Sequence, residues 1–328
     1  MQEFAQSIDT SDSDLLVAPP AEKRKSPPPI AAPGKRFSSI THLHLFAVIN
    51  TIIAHRFTIS RKTTLRILDV GCGNGIMLST LVKELPIKHP HIQFEFFGID
   101  VYDSQVQPRG YFKKTITLLE ATNPQIDWDN QLRLLKSTQQ WPFPKDFFDL
   151  IVSNQVMEHV FNQPFFLSEI KRTMKISGYS FHLYPLQHYI YEGHLLIPFV
   201  HKFTSWTGTY HWIRLATYLG FGTYRIHKRK GIVNSVHQYA RMHADYLAYQ
   251  VNYKTELEIT KMAKESRLKN SFDFTHLYYK QKLRSMFRLP PMEVYQEKDF
   301  TSVKNNFYFS ILKYVGCITL MLRKGKNS

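Results

Sequence analysis

The sequence predicts an α/β protein in which a doubly wound, Rossmann-like parallel sheet carries helices on both faces. Three observations lead to this fold class. The apolar strand Arg66 to Val70 runs through three alternating glycines into an apolar helix that begins at Ile76. Strand-like and helix-like segments then alternate, as expected for parallel strands joined by crossover helices. Finally, a hydrophobic content of 43% over 328 residues is ordinary for a chain with a sizeable core.

The remaining elements follow in chain order from their hydrophobic patterns. The predicted strands after the first are Ile92 to Asp100, Leu132 to Lys136, Phe148 to Ser153 and Tyr179 to Tyr184. The predicted helices are Leu43 to Ala54 beside the first strand, Ile76 to Leu85 after the glycines, and the amphipathic segment Phe165 to Lys175.

The glycine-rich turn predicts a ligand site. Gly71, Gly73 and Gly75 allow a ligand to lie against bare backbone, beside the unpaired N–H groups of the following helix. A dinucleotide fingerprint requires a small residue where this chain has Ile76, which disfavours a pyrophosphate ligand. The pattern Asp69-x-Gly-x-Gly-x-Gly instead resembles the first motif of class I S-adenosylmethionine (SAM) dependent methyltransferases.

The resemblance covers residues 64 to 185, including the block Asn154 to Val160 after the fourth strand, which is similar to the small-molecule branch of that family. It implies a seven-stranded methyltransferase sheet and SAM as the cofactor. Asp100 is expected to bind the ribose, because a carboxylate accepts hydrogen bonds from a vicinal diol, and Val101 to pack on the adenine. The residues expected to contact the cofactor are Asp69, Gly71, Cys72, Gly73, Gly75, Asp100, Val101, Ser137, Thr138 and Asn154.

Two positions depart from the family pattern. The third strand runs into Ser137-Thr138, where the family usually has an acidic residue near the adenine amino group. A backbone carbonyl or Thr138 is the expected replacement. The glycine pair that usually follows the next helix is reduced to Gly178, which is expected to form a left-handed helix cap.

Composition bounds the rest of the chain. Residues 1–38 are rich in proline, serine and charged residues and are predicted to be a disordered tail. Only two cysteines occur, so a reducing compartment, the cytoplasm, is expected. Cys72 is interpreted as a small loop residue. No uninterrupted apolar run reaches about 18 residues, so no transmembrane span is predicted.

The C-terminal region suggests how the sheet closes. The apolar runs Asn306 to Lys313 and Cys317 to Lys324 predict an antiparallel hairpin. The methyltransferase core is then residues 39–185 and 306–328, and residues 186–305 form a mostly helical insertion that caps the substrate. This predicted insertion holds 18 Lys and Arg against nine Asp and Glu, together with 21 aromatic residues. It is expected to bind a phosphate-bearing lipid, a lipid-linked saccharide, an anionic metabolite or RNA, or to keep a solvated face.

Candidate catalytic residues lie after two strands. His194 and Glu192 follow the fifth strand, at the edge where ligands of open α/β sheets bind, and either is a candidate general base. His159 follows the fourth strand and competes for the same role. Each also has a purely structural interpretation, as a helix cap or a packing residue. The histidines at 182, 188, 194 and 201 do not match a metal-ligand spacing, so no metal is predicted.

These observations predict a SAM-dependent methyltransferase that acts on a small metabolite, a lipid or a lipid-linked saccharide. The net charge of +16 admits peripheral membrane contact through the insertion, and it also admits nucleic acid. RNA ranks lower: Asn154-Gln155-Val156-Met157 lacks the Pro-Pro-aromatic motif of base-amine methyltransferases and the cysteine of cytosine-carbon methyltransferases. Methylation of an RNA sugar hydroxyl and an inactive SAM-binding interaction protein remain as alternatives. The sequence specifies no oligomeric state.

Overall fold

A computed structural model describes residues 37–57, 63–103, 107–108, 110–300 and 304–325. The predicted tail, residues 1–38, lies outside these ranges except for its last two residues. Seven strands are described: β1 Thr64–Val70, β2 Gln93–Val101, β3 Leu132–Leu135, β4 Phe148–Asn154, β5 Met174–Pro185, β6 Leu268–Ser271 and β7 Cys317–Lys324. The α-helices are α1 Ile40–Ile52, α2 Ile76–Lys88, α3 Tyr111–Thr122, α4 Trp128–Gln131, α5 Gln163–Thr173, α6 Trp206–Tyr218, α7 Tyr224–Arg229, α8 Val236–Tyr249, α9 Glu256–Glu265, α10 Thr275–Met286, α11 Glu297–Phe300 and α12 Lys304–Leu312.

The strands form one sheet in the order β3-β2-β1-β4-β5-β7-β6. Strands β1 to β5 are parallel, and β7 runs antiparallel to both of its neighbours. Side chains alternate between the two faces: Leu65 and Ile67 of β1 join one buried cluster with α1 and α2, whereas Leu68 and Val70 join a second with α5 and α9. The predicted doubly wound, seven-stranded fold is confirmed.

The predicted C-terminal hairpin is wrong. Residues 306–313 lie mostly within helix α12, in which Asn305 and Phe309 are buried at helical spacing while Phe307 and Ile311 are exposed. The antiparallel neighbour of β7 is β6, which lies inside the predicted insertion. Its sequence, Leu-Lys-Asn-Ser, has a single apolar residue and so carries no strand pattern. An edge strand needs little apolar surface because it packs on fewer neighbours.

The boundary of the predicted insertion changes accordingly. Helix α9 joins a sheet cluster through Ile259 and Ala263, and Tyr278 of α10 contacts His44 of α1 with ring centroids 5.4 Å apart. A separate apolar cluster contains buried side chains between Leu195 and Ala244, from helices α6 and α8 and the loops around them. We call residues 186–255, which precede α9, the cap. Its role in covering a substrate stays a prediction.

The prediction that Gly178 forms a left-handed helix cap is wrong. Its φ is not positive, and the residue lies within strand β5. The pairing of β4 with β5 shifts register between Phe148 and Leu150. A Cβ at Gly178 would lie 3.0 Å from the carbonyl oxygens of Asp149 and Lys175. The glycine is therefore required by a close backbone approach at this irregularity.

Helix α1 is fixed to the far side of the sheet by polar side chains. His44 is fully buried, and its Nδ1 and Nε2 form hydrogen bonds with Tyr295 Oη at 2.9 Å and Thr319 Oγ1 at 2.8 Å. Burial lowers the pKa of His44 to about 3. In the described part of the chain, none of the helices combines the length and the apolar character needed to cross a membrane.

Buried neutral histidines make the fold sensitive to acid. Burial lowers the pKa of His44 and of His182 to about 3, so below about pH 6.5 the unfolded chain binds protons that the folded chain does not. We expect the free energy of unfolding to fall by about 2 kcal/mol per histidine between about pH 7 and about pH 5. Denaturant unfolding at the two pH values measures this change. His44→Gln should reduce the change in the free energy of unfolding with pH, whereas His211→Gln, at an exposed position, should not. An equal change in both variants would contradict the assignment of this pH dependence to the buried histidine.

Candidate active site

The glycine turn is held between two strands. The N–H groups of Gly71 and Cys72 donate to the carbonyl oxygen of Ile99 in β2, at 2.8 and 3.1 Å. Gly71 has φ = +69°, and a Cβ there would lie 2.4 Å from Cγ2 of Val156, in the turn after β4. The absence of a side chain therefore brings the β1 and β4 turns into contact.

The other members of the loop have separate structural roles. Gly73 and Gly75 also have positive φ, and a Cβ at Gly75 would lie 2.9 Å from Cδ1 of Leu119. Thr115 Oγ1 of α3 donates to the carbonyl oxygen of Gly73 at 2.7 Å. Cys72 is buried, and burial raises the pKa of its thiol, as suits a small loop residue rather than a nucleophile.

Two buried carboxyl groups adjoin the loop. Asp100 accepts hydrogen bonds from the N–H of Gly73 at 2.8 Å and of Val101 at 2.7 Å. Burial nevertheless raises the pKa of Asp100, and burial together with the charge of Asp100 raises the pKa of Asp69 to about 8. Oδ2 of Asp69 has no hydrogen-bond partner among the residues that the structure describes. The loop thus has a buried acceptor that is ready to receive a donor.

The ends of β2 and β3 are linked by a residue that the sequence analysis missed. Asp103 accepts from Ser137, whose N–H and Oγ each lie 2.9 Å from one of its carboxylate oxygens. Thr138 lies next to Ser137 on an exposed turn, and Val101 is half-buried. Asp103 lies three residues after Asp100. This short spacing was the sequence signal for a second polar group at the carboxyl end of β2.

Asn154 is the last residue of β4. Its Nδ2 donates to Oγ1 of Thr41 at 3.2 Å, and its buried Oδ1 has no partner within the described ranges. The next residue, Gln155, has φ = +57°, and the chain then turns through a short helix that contains Glu158 and His159. The N–H of His159 donates to the carbonyl oxygen of Val156 at 2.8 Å. His159 is therefore one turn away from the contact with Gly71.

Glu192 is the most extensively hydrogen-bonded side chain of the cap. Although it is fully buried, its Oε2 accepts from the N–H groups of His194 at 2.8 Å and Leu195 at 2.7 Å. Its Oε1 accepts from Oη of Tyr189 at 3.1 Å and Oη of Tyr253 at 2.7 Å. Burial alone would raise the pKa of Glu192, but these donors and His194 lower it to about 2. Glu192 is therefore ionised at neutral pH.

This ionised carboxylate orients the ring of His194. His194 Nδ1 lies 2.8 Å from Glu192 Oε1. Because an ionised carboxylate only accepts hydrogen bonds, Nδ1 must carry a proton, and Nε2 is left as the basic nitrogen. Burial opposes protonation of His194, but the hydrogen bond and charge of Glu192 outweigh it and raise its pKa. His194 remains partly exposed, with 39% of its side chain accessible.

His159 lies beside His194 rather than in a separate place. The two ring centroids are 5.9 Å apart, and Tyr246 lies 5.1 Å from the His194 ring. His159 Nδ1 donates to the carbonyl oxygen of Gln250 at 2.7 Å, which again leaves Nε2 as the free nitrogen. Burial lowers the pKa of His159. The structure thus brings together all three predicted catalytic residues, His159, His194 and Glu192, and gives the two histidines opposite pKa shifts.

Glu158 is a further buried acid that the sequence analysis did not assign. Neither of its carboxyl oxygens is hydrogen-bonded to a described residue, and burial raises its pKa to about 8. The same turn therefore carries a carboxyl that is mostly neutral at pH 7 and close enough to His194 and Glu192 for their charges to affect its pKa. Its position next to His159 was the only sequence signal, since burial is not visible in a local pattern.

Comparison with known proteins assigns the family. Residues 37–253, more than half of the chain, match a family model described as a methyltransferase domain. The chain belongs to this methyltransferase family. This family agrees with the resemblance of the glycine motif, which implies SAM as the cofactor.

Individual relatives of this methyltransferase are distant. An uncharacterized methyltransferase of Schizosaccharomyces pombe is 28% identical over 142 residues, 43% of this chain and 47% of the relative. The ubiquinone biosynthesis O-methyltransferase of Rickettsia typhi is 26% identical over 139 residues, 42% of this chain and 47% of the relative. The chain thus spans about half the length of these curated relatives. Among solved structures, a SAM-dependent methyltransferase of Mesorhizobium loti has a TM-score of 0.44 and 13% identity, with 84% of this chain and 98% of that chain covered.

The residues of the site fit the cofactor. The open backbone at Gly71 and the unpartnered Oδ2 of Asp69 suit a ligand with a polar, cationic amino acid part. Asp100, Val101, Ser137 and Asn154 stand around the same ends of β2, β3 and β4. Their individual contacts with SAM stay predictions. Among the described residues, no group of three or more His, Cys, Asp or Glu side chains could hold a metal ion.

The contact at Gly71 should control cofactor affinity in this methyltransferase. Gly71→Ala places a Cβ 2.4 Å from Val156 and an alanine at φ = +69°, so we expect SAM affinity to fall by about tenfold or more. Isothermal titration calorimetry measures this affinity. Gly193→Ala is the matched control, because a Cβ there meets no described atom within 4 Å. The double variant Gly71→Ala/Val156→Ala should recover part of the loss, and wild-type affinity in Gly71→Ala would refute the role of this contact.

Proposed function

We propose that this methyltransferase transfers the SAM methyl group to a hydroxyl oxygen of a small metabolite, a lipid or a lipid-linked saccharide, with His194 as the general base. The observation that carries the proposal is the Glu192–His194 pair, in which an ionised, buried carboxylate holds Nδ1 and leaves Nε2 free. An acceptor hydroxyl must lose its proton as the new bond to carbon forms, and a histidine is suited to accept it near neutral pH.

When bound, SAM would supply a methyl group on a cationic sulfur, and the carbon–sulfur bond would break, with the neutral thioether as leaving group, as the acceptor oxygen gains the methyl. The acceptor proton passes to Nε2 of His194, and the nearby charge of Glu192 stabilises the resulting imidazolium. His159 is the weaker base, because burial lowers its pKa. It is better suited to accept a hydrogen bond from the acceptor and orient it. Glu158, neutral at pH 7, adds no second negative charge beside Glu192.

Two further observations support an oxygen acceptor. The free nitrogens of both histidines are acceptors, which suits a hydroxyl donor. One relative is named for O-methyl transfer in ubiquinone biosynthesis, and its similarity covers 42% of this chain. A neutral amine is a good nucleophile before it loses a proton, so an amine acceptor has less need of the base that Glu192 and His194 form.

The acceptor class is tested by methyl-tritiated SAM with host extract. Label in the organic-soluble or aqueous small-molecule fraction is expected, whereas nuclease-sensitive label would make RNA the substrate and overturn the proposal. With the labelled acceptor in hand, His194→Gln should lower kcat by about a hundredfold or more with little change in SAM affinity. His211→Gln, an exposed histidine of the cap, is the control. A wild-type kcat in His194→Gln would remove His194 as the base.

The pH profile tests the pairing of Glu192 with His194. The base acts when neutral, so kcat should fall as pH decreases through the raised pKa of His194. Glu192→Gln removes the charge that raises this pKa, and the acid limb of kcat should then move to lower pH while the maximal rate falls. Steady-state rates over a pH series measure the limb. A limb that stays in place would show that another group titrates.

A further inference from the structure

The segment that carries the base also presents large apolar side chains to solvent. Between Ile190 and Phe199, Ile190, Tyr191, Leu196 and Phe199 are exposed, whereas Glu192 is fully buried. The exposed fractions of Leu196 and Phe199 are 53% and 44%. Scattered exposed apolar residues are normal, but a group beside a catalytic pair marks a contact surface.

The backbone of this segment is strained where those side chains project. Leu196 has φ = +58° and Phe199 has φ = +59°, values that bulky residues rarely adopt. The strain is held by the structure around it, because the N–H of Leu196 donates to the carbonyl oxygen of Glu192 at 2.8 Å. Neither side chain is buried in return, so the strain brings no core packing.

The apolar surface continues from the cap onto the sheet. The N–H of Phe199 donates to the carbonyl oxygen of Ile190 at 2.8 Å, and the N–H of Ile190 donates to that of Tyr314 at 2.9 Å. Tyr314 and Val315 are also exposed and precede β7, beside the carboxyl end of β5. We call this surface the rim, and its members are Ile190, Tyr191, Leu196, Phe199, Tyr314 and Val315.

Most of the charge in the surrounding cap is positive. Residues 193–244 contain no Asp or Glu and seven Lys and Arg, namely Lys202, Arg214, Arg225, Lys228, Arg229, Lys230 and Arg241. Nζ of Lys202 lies 5.3 Å from the centre of the Phe199 ring, so positive charge adjoins the rim itself. None of the described side chains of α7 is buried, which leaves its three Lys and Arg residues and its histidine at or near the surface.

We propose that the rim contacts an anionic phospholipid bilayer, with the apolar side chains at the boundary of headgroups and acyl chains and the cap cations near the phosphates. Exposed aliphatic and aromatic residues beside a basic surface are typical of interfacial membrane binding. RNA suits the rim less well, because Ile190, Leu196 and Val315 offer no hydrogen bonds. The consequence, which rests on the proposed function, is that the acceptor is a membrane lipid that reaches His194 across the rim.

Vesicle flotation of the full chain tests the surface without SAM or acceptor. The protein should float with vesicles of phosphatidylcholine and phosphatidylglycerol, less with phosphatidylcholine alone, and less at high salt. Leu196→Asn/Phe199→Asn should weaken binding by about tenfold or more, while asparagine tolerates the left-handed backbone. The matched control is Ile87→Asn/Ile176→Asn, whose side chains are 73% and 68% exposed away from the rim.

The outcomes separate this inference from the proposed function. Three outcomes would overturn the membrane surface: the wild type fails to float, the rim and control variants float equally, or RNA displaces the protein from the vesicles. None of them would affect the proposed transfer of the acceptor proton to His194. Flotation of His194→Gln like the wild type would support a surface independent of catalysis. If the wild type floats but methyl-tritiated SAM labels only aqueous metabolites, the delivery of a lipid acceptor across the rim is refuted.

Discussion

A single buried negative charge organises the cap. Glu192 is inaccessible to solvent, and an uncompensated carboxylate there would be strongly unfavourable. Its oxygens accept from Tyr189, Tyr253, the His194 ring and two backbone N–H groups. Satisfying this charge requires two stretches of the cap, residues 189–195 and the segment that contains Tyr253, to converge. The same contacts define the tautomer of His194 and place its free nitrogen, so cap folding and the candidate base depend on one interaction.

The buried acids of the site show how hydrogen-bond donors decide the charge state. Asp69, Asp100 and Glu158 all have raised pKa values because burial dominates, and Asp69 and Glu158 each retain unpartnered oxygens. Glu192 is equally buried, yet its several donors lower its pKa. The site therefore has one permanent anion next to His194, and weaker acids beside the glycine loop and on the turn after β4.

The turns after β1 and β4 connect the glycine loop to the two histidines of the candidate site. Gly71 contacts Val156 closely, and the turn that contains Val156 continues to His159, which adjoins His194. A change at one of these points is transmitted through contacts between packed groups rather than through a flexible linker. The strained backbone at Leu196 and Phe199 belongs to the same region, because the N–H of Leu196 donates to the carbonyl oxygen of Glu192. Cofactor loop, base and exposed rim are thus parts of one continuous arrangement.

The sequence by itself determined the local features: the strand and glycine turn from Arg66 to Gly75, the carboxylate after β2, and the helices with clear apolar periodicity. These depend on neighbouring residues, whose spacing is visible in the chain. The local pattern could not reveal β6, which pairs with a strand 46 residues further along the chain. Nor could it reveal the helix at 304–312, whose consecutive aromatic residues at 307–309 look strand-like. Tertiary structure alone decided that Glu192 is ionised, that Glu158 is mostly neutral and that His159 meets His194. Burial and long-range contacts set those properties, and neither is encoded at a single position.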